Sequence, residues 1–135
     1  VTKAYPRPVL AGLYRAARVG LVTPMRDGMN LVAKEYVVAQ SEEDPGVLVL
    51  SKFAGAARQL PEALLVNPYD RFEVAEAIRE ALYMPRAERL ERWRPMVERM
   101  TREDVDWWAR NFLAELENFR TIEREPPTAA AAAAE

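Results

Sequence analysis

Cysteine and histidine are both absent from the 135 residues of the sequence. Without cysteine the chain can form no disulfide and has no thiol nucleophile. Without histidine it has no imidazole general base, and with neither residue it lacks zinc sites of the usual kind. These absences exclude several common classes of catalytic and metal site.

A strong charge of either sign is also lacking, since the formal net charge is −2. We therefore expect no attraction to nucleic acid or to an anionic membrane surface. No apolar run approaches the roughly 18 residues that a membrane span needs, and no signal peptide is visible. The expected location is the cytoplasm.

Length and composition are those of an ordinary globular domain. The chain is 50% hydrophobic and 30% charged, and its length allows one domain with a modest core. It begins at Val1 in what reads as the middle of a domain. We therefore expect a piece of a longer protein.

The most informative stretch of the chain is residues 19–36. Residues 19–23 are apolar and β-branched, and Pro24 ends that run. A short polar turn follows at 25–30, and from Leu31 onward apolar residues recur at helical spacing. The pattern predicts a strand, a tight loop and a helix, the arrangement in which open α/β sheets bind ligands at the carboxyl ends of their strands.

The predicted loop has the features of an anion site. Gly28 lets the backbone turn, or lets a ligand approach without a Cβ in the way. Asn30 is a good N-cap, which would leave the first helix amides, those of Leu31, Val32 and Ala33, pointing into the loop. Together with the positive end of the helix dipole, such amides suit a phosphate. A purely structural turn is the alternative, because strand–glycine–helix turns are common.

Two acidic residues flank this predicted phosphate site. Asp27 is at the tip of the loop, and Glu35 is about one turn into the helix. A carboxylate in such a place suits hydroxyl donors, such as those of a ribose or a hexose. The alternatives are a turn-capping role for Asp27 and, for Glu35, a solvated helix position paired with a neighbouring lysine.

Short buried strands alternate with helices along the chain. Strands are predicted at 19–23, 47–50 and 63–66, and helices at 8–17, 30–40, 71–83, 86–100 and from about 102, with a short helical turn within 51–60. Pro95 predicts a kink or a break in the helix 86–100. The order predicts an α/β fold with a three-layer parallel sheet of about three strands and several C-terminal helices.

Two features of the C-terminal part are not read as sites. Trp93, Trp107 and Trp108 lie on amphipathic helices, where packing in a core or an interface is favoured over stacking on a sugar. The end of the chain, PPTAAAAAAE at 126–135, is low in complexity. We therefore predict one domain over 1–120 and a low-complexity tail over 121–135.

A highly specific string, RDGMNLVAKEY, occupies 26–36, with LYRAARVGLVTP before it and PGVLVLSKFAGAARQL and ALLVNPYD after it. Through these residues the chain closely resembles the trehalose-6-phosphate synthases, retaining glycosyltransferases of family 20 with the two-domain GT-B fold. The similarity runs from about Tyr5 to about Phe119. It implies that 1–120 is the C-terminal portion of a Rossmann-like, donor-binding GT-B domain.

The resemblance implies a nucleotide-sugar donor at the loop, in most relatives UDP-glucose and in some GDP-glucose or ADP-glucose. Asp27 matches the acid that contacts the transferred glucose and is the implied catalytic residue. Glu35 matches the acid that binds both ribose hydroxyls, and Tyr5 falls where the family has a residue beside the uracil. The other implied donor-binding residues are Gly28, Met29, Asn30, Leu31 and Val32.

The resemblance also implies the reaction of a whole enzyme. Glucose would pass from the nucleotide to the anomeric hydroxyl of glucose 6-phosphate with retention, giving α,α-trehalose 6-phosphate. Relatives need no metal, no cofactor and no covalent enzyme nucleophile. Their acceptor site lies in an N-terminal domain that this chain lacks. An Arg and a Lys that neutralise the leaving diphosphate lie upstream of this chain in the family. We therefore expect the chain to be inactive by itself.

An alternative function remains open at this point. The chain could be a truncated, non-catalytic domain that binds nucleotide sugar weakly or only packs against partners. One edge of the predicted sheet and the C-terminal helix would lack the parts that cover them in the family. For that reason we expect the chain to self-associate.

Overall fold

The computed structural model of the chain describes residues 4–122, with side chains as far as Phe119. Its elements, in chain order, are α1 (Arg7–Ala16), β1 (Val19–Val22), α2 (Leu31–Ala39), β2 (Val47–Ser51), a 3₁₀ turn (Gly55–Arg58), β3 (Leu64–Val66), α3 (Arg71–Tyr83), α4 (Arg86–Arg102) and α5 (Val105–Ile122). The chain divides into two compact units, Val1–Thr101 and Arg102–Glu135. Residues 123–135, which form most of the predicted tail 121–135, lie outside the described residues.

The strands of the first unit form one parallel sheet in the order β1–β2–β3. Val19 of β1 is in register with Val47 of β2, and Val49 of β2 with Leu64 of β3. Every residue of the central strand β2 is buried, as its continuous apolar run predicts. The predicted α/β fold with three parallel strands is confirmed, and the carboxyl ends of all three strands lie at one edge of the sheet.

Side chains of β2 alternate between two apolar layers, because successive residues of a strand point to opposite faces. Leu48 and Leu50 pack on one face with residues of α2 and α4. Val47 and Val49 pack on the other face with residues of α3. The first unit is therefore a three-layer structure with its sheet in the middle.

Helix α4 is joined to the rest of this unit by two buried polar side chains. Trp93 is 9% exposed, and its indole N–H donates to the Val37 carbonyl of α2 at 2.9 Å. Arg89 is 5% exposed and donates to the Pro45 carbonyl and to the Asp44 carboxylate. The predicted packing role of Trp93 is confirmed.

Some predictions about the helices were wrong. The break predicted at Pro95 was wrong, because α4 is one continuous helix there. Proline removes one hydrogen bond, while residues on both sides of it are buried in the core. The apolar pattern of 71–83 predicts that Leu82 faces inward with Val74, Ala77 and Ile78. Leu82 is instead exposed, because α3 meets the sheet along its alanine face. Apolar residues at helical spacing in 8–17, Val9 and Leu13 among them, predict one buried stripe. Val9 and Leu13 are about half exposed, because this stripe is wider than the contact of α1 with α2.

The described part of the second unit is dominated by α5. This helix carries a row of exposed apolar side chains: Val105, Trp108, Phe112, Leu113, Leu116 and Phe119. Trp108 and Phe112 stack on each other with ring centroids 5.2 Å apart, and Trp108 is still 57% exposed. Over residues 4–122, no helix combines the length and the apolar character that crossing a membrane requires.

Candidate functional site

The predicted strand, loop and helix are present at the carboxyl edge of the sheet, and Asn30 begins α2. Its backbone is left-handed, with φ 71° and ψ 85°, a conformation that asparagine tolerates better than most residues. Its side-chain oxygen accepts a hydrogen bond from the Ala33 N–H at 2.9 Å. The sharp point of the loop is therefore Asn30 and not Gly28, whose φ is not positive.

Two amides at the start of α2 remain available to a ligand. The N–H groups of Leu31 and Val32 make no hydrogen bond within residues 4–122, and the two residues are 59% and 46% exposed. The prediction that the Ala33 amide is also free was wrong, because the Asn30 cap accepts its hydrogen. Two free donors at the positive end of the helix dipole can bind an anion.

The carboxylate of Asp27 is half-buried and holds the loop together. One oxygen accepts the Met29 N–H at 3.3 Å, and the other accepts the side-chain amide of Asn30 at 2.9 Å. This is the turn-capping geometry that the sequence left open. A carboxylate offers about four lone-pair sites, so the capped Asp27 can still accept a hydroxyl from outside the loop.

Glu35 lies on the second turn of α2 and is exposed. In the part of the chain that the structure describes, its carboxylate makes no ion pair or hydrogen bond, so the pairing with a lysine is not seen. Burial raises the pKa of Tyr14, and the negative charge of Glu35 raises it further. The Glu35 carboxylate is thus close to α1 and free to accept hydrogen bonds.

The loop is also bound to a second segment, which sequence reasoning missed. The Asp27 N–H donates to the Phe53 carbonyl at 3.3 Å, and the Gly55 N–H donates back to the Asp27 carbonyl at 3.1 Å. The Ala56 N–H donates to the Met29 carbonyl at 2.7 Å. The sequence signal that could have indicated this contact is the run of small residues at 54–57, directly after the buried strand β2.

Not every predicted residue is brought to the loop. Tyr5 is exposed in the segment before α1, and among the described residues no hydrogen bond or ring contact joins it to 27–30. Gly28 and Met29 are exposed at the loop tip, and a Cβ built on Gly28 meets nothing within 4 Å. No group of three or more acidic side chains that could hold a metal ion is present within residues 4–122.

The fold and the loop together indicate the class of protein. A parallel sheet with a capped helix N-terminus, free amides and flanking acids at its carboxyl edge is the ligand-binding arrangement of a Rossmann-like α/β domain. The family model of glycosyltransferase family 20 matches residues 1–118. The chain belongs to glycosyltransferase family 20.

Known relatives agree with this assignment. The chain is 59% identical over 116 residues to the trehalose-6-phosphate synthase of Sinorhizobium fredii. This match covers 86% of this chain and 25% of that protein. A solved structure from E. coli, described as bound with UDP-2-fluoro glucose, is 53% identical with a TM-score of 0.80, over 84% of this chain and 25% of that one.

A trehalose-phosphate synthase from Burkholderia xenovorans, solved in complex with glucose-6-phosphate, is 57% identical with a TM-score of 0.80. The match covers 85% of this chain and 25% of that one. The three parallel strands and their helices match the GT-B fold of these neighbours. The chain spans about a quarter of the length of the curated relatives that it matches.

Proposed function

We propose that the chain is the donor-binding portion of a trehalose-6-phosphate synthase. The whole protein would transfer glucose from UDP-glucose to glucose 6-phosphate with retention, giving α,α-trehalose 6-phosphate. The relatives with this activity in their names support the proposal, as do the UDP-sugar and the glucose-6-phosphate in the two solved structures. The acceptor would be bound by parts of the protein that this chain does not include.

The observation that carries the proposal is the pair of free amides at the start of α2. Leu31 and Val32 offer two N–H donors to the distal phosphate of the donor, with the helix dipole behind them. Asp27 lies on one side of these amides and Glu35 on the other. We assign Asp27 to a hydroxyl of the transferred glucose and Glu35 to the ribose hydroxyls.

The same amides have a role in the chemical step. Negative charge grows on the diphosphate as the glycosidic bond breaks, and fixed N–H donors stabilise that charge without having to reorient. Loss of one such donor typically costs on the order of 10²–10³ in rate. Gly28 and Met29 would lie against the sugar and diphosphate, and Tyr5 beside the base. No step of this proposal uses a metal or a cofactor.

Substitution at Gly28 tests whether the donor lies on the loop. Because a Cβ on Gly28 meets no atom of the chain within 4 Å, Gly28→Ala should fold normally, yet the methyl group would enter the space assigned to the donor. We expect UDP-glucose affinity, measured by calorimetry on the chain, to fall roughly tenfold. Gly12→Ala is the matched control, since that Cβ also meets nothing and Gly12 lies on α1. Equal affinities for the two variants would contradict the proposed site.

The alternative has two forms, a non-catalytic domain that binds nucleotide sugar and one that only packs against partners, and an assay distinguishes a chain that binds the donor from one that does not. The chain is incubated with UDP-glucose and glucose 6-phosphate, and trehalose 6-phosphate is measured. We expect binding of UDP-glucose without turnover, since the chain spans about a quarter of its relatives. Turnover by the chain alone would eliminate the alternative, and the absence of any UDP-glucose binding would refute the donor site.

A further inference from the structure

The loop at 25–30 is held in position by a segment that follows the neighbouring strand β2. Three backbone hydrogen bonds, described above, join Asp27 and Met29 to Phe53, Gly55 and Ala56. These bonds lie between the carboxyl ends of β1 and β2, which are the ends that face the proposed ligand. The segment 53–56 is therefore a support on which the loop rests.

Gly55 is the point of closest approach between the two segments. A Cβ built on Gly55 would lie 2.0 Å from the Gly28 carbonyl oxygen and 2.9 Å from the Gly28 carbonyl carbon. The φ of Gly55 is not positive, so glycine is required here for space and not for backbone conformation. Even one methyl group would force the two segments apart by about 1 Å, because close-packed atoms do not approach below about 3 Å.

The support is anchored better than the loop. Ala56, directly after Gly55, is fully buried in the core, as is Leu60 a few residues further on, and Ala57 is also buried. On the other side, the buried hydroxyl of Ser51 accepts the Phe53 N–H at 3.1 Å. Within the support itself, the exposed Phe53 and Gly55 alternate with the buried Ala54 and Ala56, whereas Gly28 and Met29 are exposed in succession. A clash at Gly55 is therefore relieved by movement of the loop.

We propose that Gly55 is a positioning residue of the donor site. It touches no ligand itself, and it allows the loop to lie where Asp27 and the free amides of α2 serve one bound donor. The effect of Gly55 on donor binding rests on the proposed function. The placement of the loop by Gly55 can be measured with or without a ligand.

The test uses the ¹⁵N-labelled chain with Gly55→Ala, and Gly12→Ala as the matched control. Without ligand, we expect the amide resonances of 26–30 to shift in Gly55→Ala while those of the three strands stay unchanged. With UDP, we expect affinity to fall roughly tenfold or more, since displacements near 1 Å are costly at preorganised sites. At UDP concentrations that saturate the variant, the amides of Leu31 and Val32 should respond less than in the unchanged chain, while amides around Glu35 still respond.

The possible failures are distinguishable. If the unchanged chain shows no response to UDP, the proposed function fails, and the ligand-free spectra still test the placement of the loop. If the unchanged chain binds UDP and Gly55→Ala binds equally well with the same response at Leu31 and Val32, the positioning role is wrong. If the ligand-free shifts are confined to 54–60 and leave 26–30 unchanged, the support moves instead of the loop, and the proposal is overturned. Ser51→Ala, which removes the hydroxyl behind Phe53 without adding volume, should give a smaller shift of the same loop resonances.

Discussion

At the level of single residues, the first two turns of α2 offer different groups to a ligand. The first turn offers N–H donors, and the second offers a carboxylate, so an anion and a pair of hydroxyls can bind along one helix. Asn30 makes this possible, because it caps Ala33 and leaves Leu31 and Val32 unpaired. The two acids near these amides differ, since Asp27 accepts hydrogen bonds within the loop, whereas Glu35 makes no hydrogen bond or ion pair with any residue that the structure describes.

Glu35→Gln should weaken donor binding. The neutral amide keeps the shape of the side chain but is a poorer acceptor for the ribose hydroxyls, and the expected cost is about 1–3 kcal/mol. Calorimetry with UDP measures the change. Glu98→Gln is the control, because Glu98 is an exposed acid of α4 far along the chain from the loop. An unaltered UDP affinity in Glu35→Gln would show that the ribose assignment is wrong.

Asp27→Asn should affect the binding of UDP-glucose more than the binding of UDP. Asn keeps one acceptor oxygen, so the variant loses one of the two loop hydrogen bonds, and this loss should affect UDP and UDP-glucose alike. If Asp27 also contacts the transferred glucose, UDP-glucose affinity should fall by about 1.5 kcal/mol more than UDP affinity, the scale of a hydrogen bond to a charged group. Asp70→Asn is a fair comparison, since Asp70 caps α3 by accepting the Phe72 and Glu73 N–H groups. Equal losses of UDP and UDP-glucose affinity would instead indicate that Asp27 acts only through the shape of the loop.

At the scale of helices and strands, the sequence predicts those features that depend on residues close together in the chain. A buried strand such as β2 and a cap such as Asn30 depend on neighbours within a few residues, so their patterns are sufficient. The contact of Gly55 with Gly28 joins segments 27 residues apart and depends on how two strands align. The exposure of Leu82 likewise depends on how α3 lies on the sheet. No periodicity encodes such relations.

The junction of α4 with the 59–63 segment has a pH-dependent component. Arg99 forms an ion pair with Glu62 at 2.7 Å and donates to the Gln59 carbonyl at 2.8 Å. The hydrogen bond from Arg99 lowers the pKa of Glu62 below its ordinary value of 4.5, against the opposing effect of burial. A lowered pKa means that the stabilisation is present above the unfolded-state pKa and is lost as the pH falls through the folded-state pKa.

Glu62→Gln should therefore lower the free energy of unfolding at pH 7 by about 1 kcal/mol, as for a partly exposed ion pair. The difference from the unchanged chain should shrink as the pH falls below about 4.5 and vanish once Glu62 is protonated in the folded state. Urea unfolding at a series of pH values measures this. Glu91→Gln, at an exposed acid of α4, the helix that carries Arg99, should show no such convergence. A Glu62→Gln difference that is constant with pH would contradict the ion-pair explanation.

At the scale of the whole molecule, the outer edge of β1 and the apolar row of α5 are exposed surfaces on which another chain could bind. The outer edge of β1 has no strand beside it within the described residues, and Leu21 on that strand is about half exposed. Helix α5 presents the row of apolar side chains from Val105 to Phe119. Unpaired strand edges and large apolar surfaces are both common sites of association.

We therefore expect the chain to self-associate at micromolar concentration. Light scattering coupled to size-exclusion chromatography should give a mass above the 15.4 kDa of one chain. Phe112→Glu should restore the mass of one chain if α5 is the contact, and Leu21→Lys should do so if the edge of β1 is. A single species of 15.4 kDa in the unchanged chain would show that neither surface drives association.

The fluorescence of the buried Trp93 can report on the folding of the first unit. Of the three tryptophans, Trp93 is buried with its indole N–H bonded to the Val37 carbonyl, whereas Trp107 is partly exposed and Trp108 largely so. Iodide in the solvent should quench the fluorescence of Trp107 and Trp108 and leave that of Trp93, which emits at shorter wavelength. The emission that survives iodide then reports whether α4 still contacts α2. The two units can thus be followed separately during unfolding, without an added label.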